Sequence, residues 1–273
     1  MDKTALITGA TSGLGRTLAR HLAVAGFDLV VHGRDEQRLH SVAREIAALG
    51  GWVRTVRADI TEPEQVAAMA REVTDLAATL DVVVNNAAVG GGVDPTVREV
   101  NSGGHELRMV GNYLGPYQLN RALAPTVAAA PQGRIINVAS IGQAPIDVDD
   151  IGFTRDYDGI QAYCRSKLAL IMDTIDLAEE LQHSGTTVNA VHPAHLMATT
   201  MVRDSGFVPV ATVEDGALPV LRLALDTELA TTTGRYFDRF DIAEPHPQAR
   251  DAGVRASLAA LAERALQSQV VQR

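Results

Sequence analysis

Short apolar runs alternate along the chain with longer stretches in which apolar residues recur every three or four positions. The runs Thr4–Thr8, Asp28–His32, Trp52–Arg57, Asp81–Asn85, Arg134–Val138 and Thr187–Val191 predict strands. Between them, helices are expected at Gly13–Ala25, Asp35–Leu49, Glu62–Ala78, Gly104–Ala130 and Tyr163–Gln182. A later helix near Val213–Leu225, a short strand near Arg235–Phe237 and a final helix near Val254–Gln267 complete the pattern. Such repetition implies an α/β fold, a doubly wound parallel sheet with helices on both faces. No linker, repeat or low-complexity block interrupts residues 1–273, which read as a single domain. Two irregular segments, 142–159 and 193–210, each follow a strand. Sheets of this kind bind ligands beyond the carboxyl ends of their strands, so both segments are expected in a substrate rim.

Hydrophobic residues make up 46% of the chain and aromatics only 4%. Ala, Val, Leu and Ile must therefore fill the core, as they do in buried parallel sheets. The net charge of −9 gives no basic footprint for nucleic acid or anionic lipid. Cys164 is the only cysteine, which excludes an internal disulfide and fits a reducing compartment. The apolar run after Met1-Asp2-Lys3 meets Gly9 too soon for a signal-peptide core. No stretch approaches the roughly 20 apolar residues of a membrane helix, so the chain reads as soluble and cytoplasmic. Its eight histidines include no H-E-x-x-H spacing, and no metal site is expected.

The first strand runs into Thr8-Gly9-Ala10-Thr11-Ser12-Gly13-Leu14-Gly15, and a helix follows at once. Glycines let the backbone turn tightly against a pyrophosphate, and the helix start offers unpaired N–H donors to it. An ordinary strand-to-helix turn would need neither. The flanking strand and helix make this a Rossmann-like dinucleotide turn. The second strand ends in Val31-His32-Gly33-Arg34-Asp35. The acidic residue that holds the ribose 2′-hydroxyl of NAD is expected near position 33, where glycine stands. Arg34 would grip a 2′-phosphate with its two-pronged guanidinium, which favours NADP(H). Asp35, next along, keeps NAD open as the alternative. Asp59 reads either as a cofactor contact or as a helix cap. A capping box formed by Thr61 with Glu64 would leave Asp59 free for the former.

Tyr163 and Lys167 stand four residues apart, on one face of a predicted helix. A free phenol has a pKa near 10, and a neighbouring ammonium lowers it toward acid/base use. Ser140 follows the strand Arg134–Val138, placed to hold a substrate oxygen. A lone Tyr-x-x-x-Lys pair is usually a solvated helix face. Here it lies downstream of the glycine turn, Asn85-Asn86 and Ser140, in a consistent order.

These motifs resemble the short-chain dehydrogenase/reductase family, closest to its retinol-dehydrogenase-like branch. The resemblance spans nearly the whole chain, through Thr8–Gly15, Asn112–Leu119, Ser166-Lys167-Leu168-Ala169 and Gly234–Phe237. It implies catalysis by Ser140, Tyr163 and Lys167, with Asn112 supporting a proton relay from the lysine. For the cofactor it implies contacts from Gly9, Thr11, Ser12, Gly13, Leu14, Gly15, Asp59, Ile60, Asn86, Ala87, Tyr163, Lys167, Pro193 and Thr199. It also implies a homodimer or homotetramer, and the final helix would lie across some such interfaces. Ala88 and Ala194 stand where the family has glycine. The 23-residue step from Ser140 to Tyr163 suits the retinol-dehydrogenase-like branch, and its aspartates read as rim or as solvated loop. The expected activity is NADP(H)-dependent reduction of a lipophilic ketone or aldehyde, with Tyr163 as the acid. Its alternatives are NAD-dependent alcohol oxidation and a non-catalytic nicotinamide-binding regulator. His195 reads as an ordinary loop histidine.

Overall fold

The computed structural model describes residues 3–270. Eight strands form one sheet: β1 (Lys3–Ile7), β2 (Phe27–Gly33), β3 (Val53–Arg57), β4 (Val82–Asn85), β5 (Arg134–Val138), β6 (Thr187–His192), β7 (Arg235–Asp238) and β8 (Asp241–Ala243). Their order is β3-β2-β1-β4-β5-β6-β7-β8, and only β8 runs antiparallel. β1 is buried on both faces. Ala5 and Ile7 enter one core cluster and Leu6 the other. The chain reverses direction across the sheet between β1 and β4, so the switch-point crevice opens above Thr8 and Asn86.

Helices α1 (Gly13–Val24), α2 (Glu36–Ala48), α3 (Pro63–Leu76), α4 (Leu107–Met109), α5 (Gly115–Ala128), α6 (Gly159–Glu180), α7 (Thr200–Asp204), α8 (Val213–Leu225) and α9 (Ala252–Val270) complete the elements. α1, α2 and α8 pack on one face of the sheet, α3, α5 and α6 on the other. A π-helical turn at Val110–Leu114 joins α4 to α5. α9 lies along α6, where Arg255 pairs with Asp176 at 2.6 Å and Tyr117 of α5 meets Glu263 at 3.4 Å.

Several boundaries differ from expectation, each for a local reason. α4 starts at Leu107 rather than Gly104 because the Glu106 carboxylate accepts from the Met109 amide. α6 starts at Gly159, before Tyr163, because Asp158 caps the Gln161 amide. The Thr61/Glu64 capping box does not form. Pro63 takes the first helical position, Glu62 becomes the cap residue, and Thr61 donates its hydroxyl and amide to Asp59. α7 and β8, only five and three residues long, had no periodic signal. The aspartates of 147–158 are not a plain solvated run. Asp150 accepts from the Thr154 amide and hydroxyl and from the Arg155 amide, and these bonds hold its carboxyl down at about 2.

Candidate active site

The glycine turn sits at the switch point, held from below by β4. The Thr8 hydroxyl accepts from the amides of Asn86 (2.9 Å) and Ala87 (3.0 Å). The Asn86 side chain donates to the carbonyls of Thr8 (2.9 Å) and Gly9 (3.2 Å). Gly9 and Gly13 have φ of 66° and 50°, the left-handed region that suits glycine. A Cβ on Gly15 would strike the Gly9 carbonyl and the Asn86 amide. The Ser12 side chain makes no capping bond to α1, and no acidic residue stands in its first turn. The helix start thus keeps its donors for an anion, and the cradle fits the pyrophosphate of a nicotinamide dinucleotide.

At the far end, Arg34 is 70% exposed and lies 3.4 Å from Asp59. Partial burial would raise the Asp59 carboxyl, but the Thr61 hydrogen bonds and the Arg34 charge outweigh it and hold it below the usual range. A Cβ on Gly33 would meet the methyl group of Thr11, so a larger residue there requires Thr11 to move. Ile60 packs beneath, its carbonyl against Gly115.

His32 was absent from the expected site and is central to its geometry. It is 1% exposed, with Nδ1 3.3 Å from the Gly9 amide and Nε2 3.0 Å from the Ala58 carbonyl. The sequence did carry a signal. A histidine inside the apolar run Leu29-Val30-Val31, buried on both faces, must find two partners.

Ser140, Tyr163 and Lys167 come together beyond β5. Ser140 stands close enough to the Tyr163 hydroxyl to favour its ionised form. The Ser140 hydroxyl accepts from the Gly142 amide at 3.0 Å. Lys167 lies 5.7 Å from the centre of the Tyr163 ring, and its Nζ donates to the Val138 carbonyl at 2.7 Å. Burial pushes the Tyr163 phenol up to about 12, opposed by Ser140. Burial also pushes the Lys167 ammonium down to about 7. In the protein alone desolvation dominates the Tyr163 phenol, and Lys167 does not appear among the groups that oppose it.

Asn112 lies in the π-helical turn, but its side chain makes no hydrogen bond to Lys167. The amide donates to the Val89 carbonyl and the Ser166 hydroxyl, both at 2.9 Å, and the oxygen accepts from the Val89 amide at 2.6 Å. With those atoms engaged, the side chain staples the loop after β4 to α6.

After β6, Pro193 leads into a loop that folds back over the crevice. Its base is clasped where the amides of Ala198 and Val210 bond the carbonyls of Ala211 and Leu196. Thr199 caps α7 and packs over Gly13, while Met201 packs over Gly90. His195 meets the buried His192 edge-on, with ring centres 6.5 Å apart. Among the described residues no cluster of His, Cys, Asp or Glu could hold a metal, and no helix is long and apolar enough to cross a membrane.

The short chain dehydrogenase family model matches residues 3–206. The chain belongs to this family and is an oxidoreductase acting on CH–OH groups with a nicotinamide dinucleotide. It is 31% identical to human retinol dehydrogenase 13, over 92% of this chain and 81% of that one. It is 32% identical to polyprenol dehydrogenase of Mus musculus, over 91% and 79%. A short chain dehydrogenase of Shigella flexneri solved in complex with NADP superposes with a TM-score of 0.71 at 26% identity, covering 88% of this chain and 98% of that one.

Proposed function

We propose that the chain is an NADP(H)-dependent reductase of a lipophilic ketone or aldehyde, with Tyr163 as the proton donor. The observation that carries this reading is the placing of Tyr163 beside buried Lys167, 5.7 Å from the ring centre to Nζ, with that Nζ bonded to the carbonyl of Val138 on the strand that leads to Ser140. When bound, the dinucleotide supplies a hydride to the carbonyl carbon. Ser140 and Tyr163 hold and polarise the carbonyl oxygen. The O–H bond of Tyr163 breaks as the proton passes to that oxygen, giving the alcohol and a phenolate. Lys167, in its ammonium form, stabilises the phenolate while Val138 orients it. With its phenol raised, Tyr163 keeps its proton at neutral pH, as a donor must.

Two observations support NADP(H): exposed Arg34 and the NADP complex of the Shigella flexneri relative. Gly9, Thr11, Ser12, Gly13, Leu14 and Gly15 would hold the pyrophosphate. Asp59 and Ile60 would hold the adenine, and Ala87, Pro193 and Thr199 the nicotinamide end. Asn86 positions the turn. The lipophilic substrate rests on the names retinol and polyprenol dehydrogenase, and on the exposed Phe207 and Val208 of the proposed rim. Those names also favour the reverse direction, alcohol oxidation at the same residues.

Titration with NADPH and NADH, read by nicotinamide fluorescence, is the test. Much tighter NADPH binding, followed by NADPH consumption with apolar aldehydes, is the expected result. Preference for NADH would overturn the reading of Arg34.

A further inference from the structure

His32 is fixed by partners that leave its imidazole no choice of form. An amide N–H only donates and a carbonyl only accepts. The Gly9 amide therefore requires a bare Nδ1, and the Ala58 carbonyl requires a proton on Nε2. The ring is the neutral Nε2–H tautomer, and its burial favours that uncharged state.

Its two partners lie on different loops. Gly9 opens the glycine turn, and Ala58 opens the Ala58-Asp59-Ile60 segment after β3. The His32 carbonyl adds a third tie, accepting from the Ala10 amide at 2.9 Å. Two successive amides of the turn thus end on one residue. Gly9 is clamped on its other side, where Asn86 binds its carbonyl. Gly9 is left-handed and the Ser12 side chain leaves the helix start uncapped, so the ties from His32 and Asn86 fix where the start of the turn sits.

We propose that His32 is a positioning residue for the cofactor: its neutral imidazole is the strut that sets the distance between the pyrophosphate turn and the adenosine loop. It touches neither cofactor nor substrate and acts through Gly9 and Ala58. This rests on the reading of the glycine turn as the dinucleotide site.

The test is NADPH binding to the full-length protein carrying His32→Leu or His32→Asn. Leucine removes both polar atoms and leaves the Gly9 amide bare. NADPH affinity should fall about tenfold or more, the scale of one buried donor without a partner. In turnover, KM for NADPH should rise while kcat and the KM for the carbonyl substrate stay near wild type. Asparagine restores an acceptor near the position of Nδ1 but cannot reach Ala58, and should recover most of the affinity. H32L binding NADPH as wild type does would overturn the proposal. So would H32N binding as weakly as a folded H32L. Should H32L not fold, 15N NMR of the wild-type imidazole decides. A neutral ring protonated on Nε2, unchanged when NADPH binds, supports the strut, and a proton on Nδ1 overturns it. Wild-type protein binding neither NADPH nor NADH would instead defeat the dinucleotide reading on which the strut depends.

Discussion

Lys167 donates its buried Nζ to the carbonyl of Val138, two residues before Ser140. The ammonium on α6 is thereby tied to the strand that presents the serine, and it lies 5.7 Å from the centre of the Tyr163 ring. Tyr163→Phe should lower carbonyl reduction by about 10²-fold or more, the scale of general acid catalysis. Near-normal turnover in steady-state assays would remove Tyr163 from the acid's role.

Arg34 tests the choice of cofactor. It reaches Asp59 only at 3.4 Å and is largely exposed, so it is free to turn toward a 2′-phosphate. Arg34→Ala should weaken NADPH about 10- to 100-fold, the worth of charge-assisted hydrogen bonds, and leave NADH nearly unchanged. Parallel fluorescence titrations give both numbers. Equal losses for the two cofactors would mean that Arg34 shapes the loop rather than reading the phosphate.

Gly15 tests the cradle. An alanine Cβ would meet the Gly9 carbonyl, which is backbone and cannot swing aside. Gly15→Ala should abolish measurable NADPH binding at concentrations that saturate wild type. Retained binding would show that the turn opens more readily than its clamps imply.

Asp173 makes a prediction about pH. Its carboxyl is buried beside Arg121, and burial pushes it up to about 6 against the pull of that arginine. The folded value lies above the ordinary 3.8. The stability it contributes is therefore complete below about pH 4 and is lost as pH rises through about 6. The melting temperature of wild type relative to Asp173→Asn should fall across that window and level off above it. A flat difference from pH 4 to 7 would contradict the assignment.

The sheet was readable because its strands are apolar runs, buried on both faces, such as Leu29-Val30-Val31 and Val82-Val83-Val84. Ser140, Tyr163 and Lys167 were readable because a strand end and a four-residue helical step fix their relative positions. The cap of α3 was misread because proline at position 63 moved the helix start and Asp59 captured Thr61. The side-chain partners of Asn112 and His32 stayed hidden for a different reason. Each depends on which backbone groups of distant loops fold against it, and spacing carries no record of that.

The glycine turn is complete in sequence by Gly15, yet its shape depends on Asn86, 77 residues beyond Gly9. A growing chain that has placed only β1, α1 and β2 holds the motif without its clamp. Contacts of such long sequence separation form late, after much loop-closure entropy has been spent. The nucleotide therefore cannot serve as an early template for folding. It meets a finished crevice only after β4 has docked beside β1, so newly made chains pass through a period in which the cofactor gives them no protection.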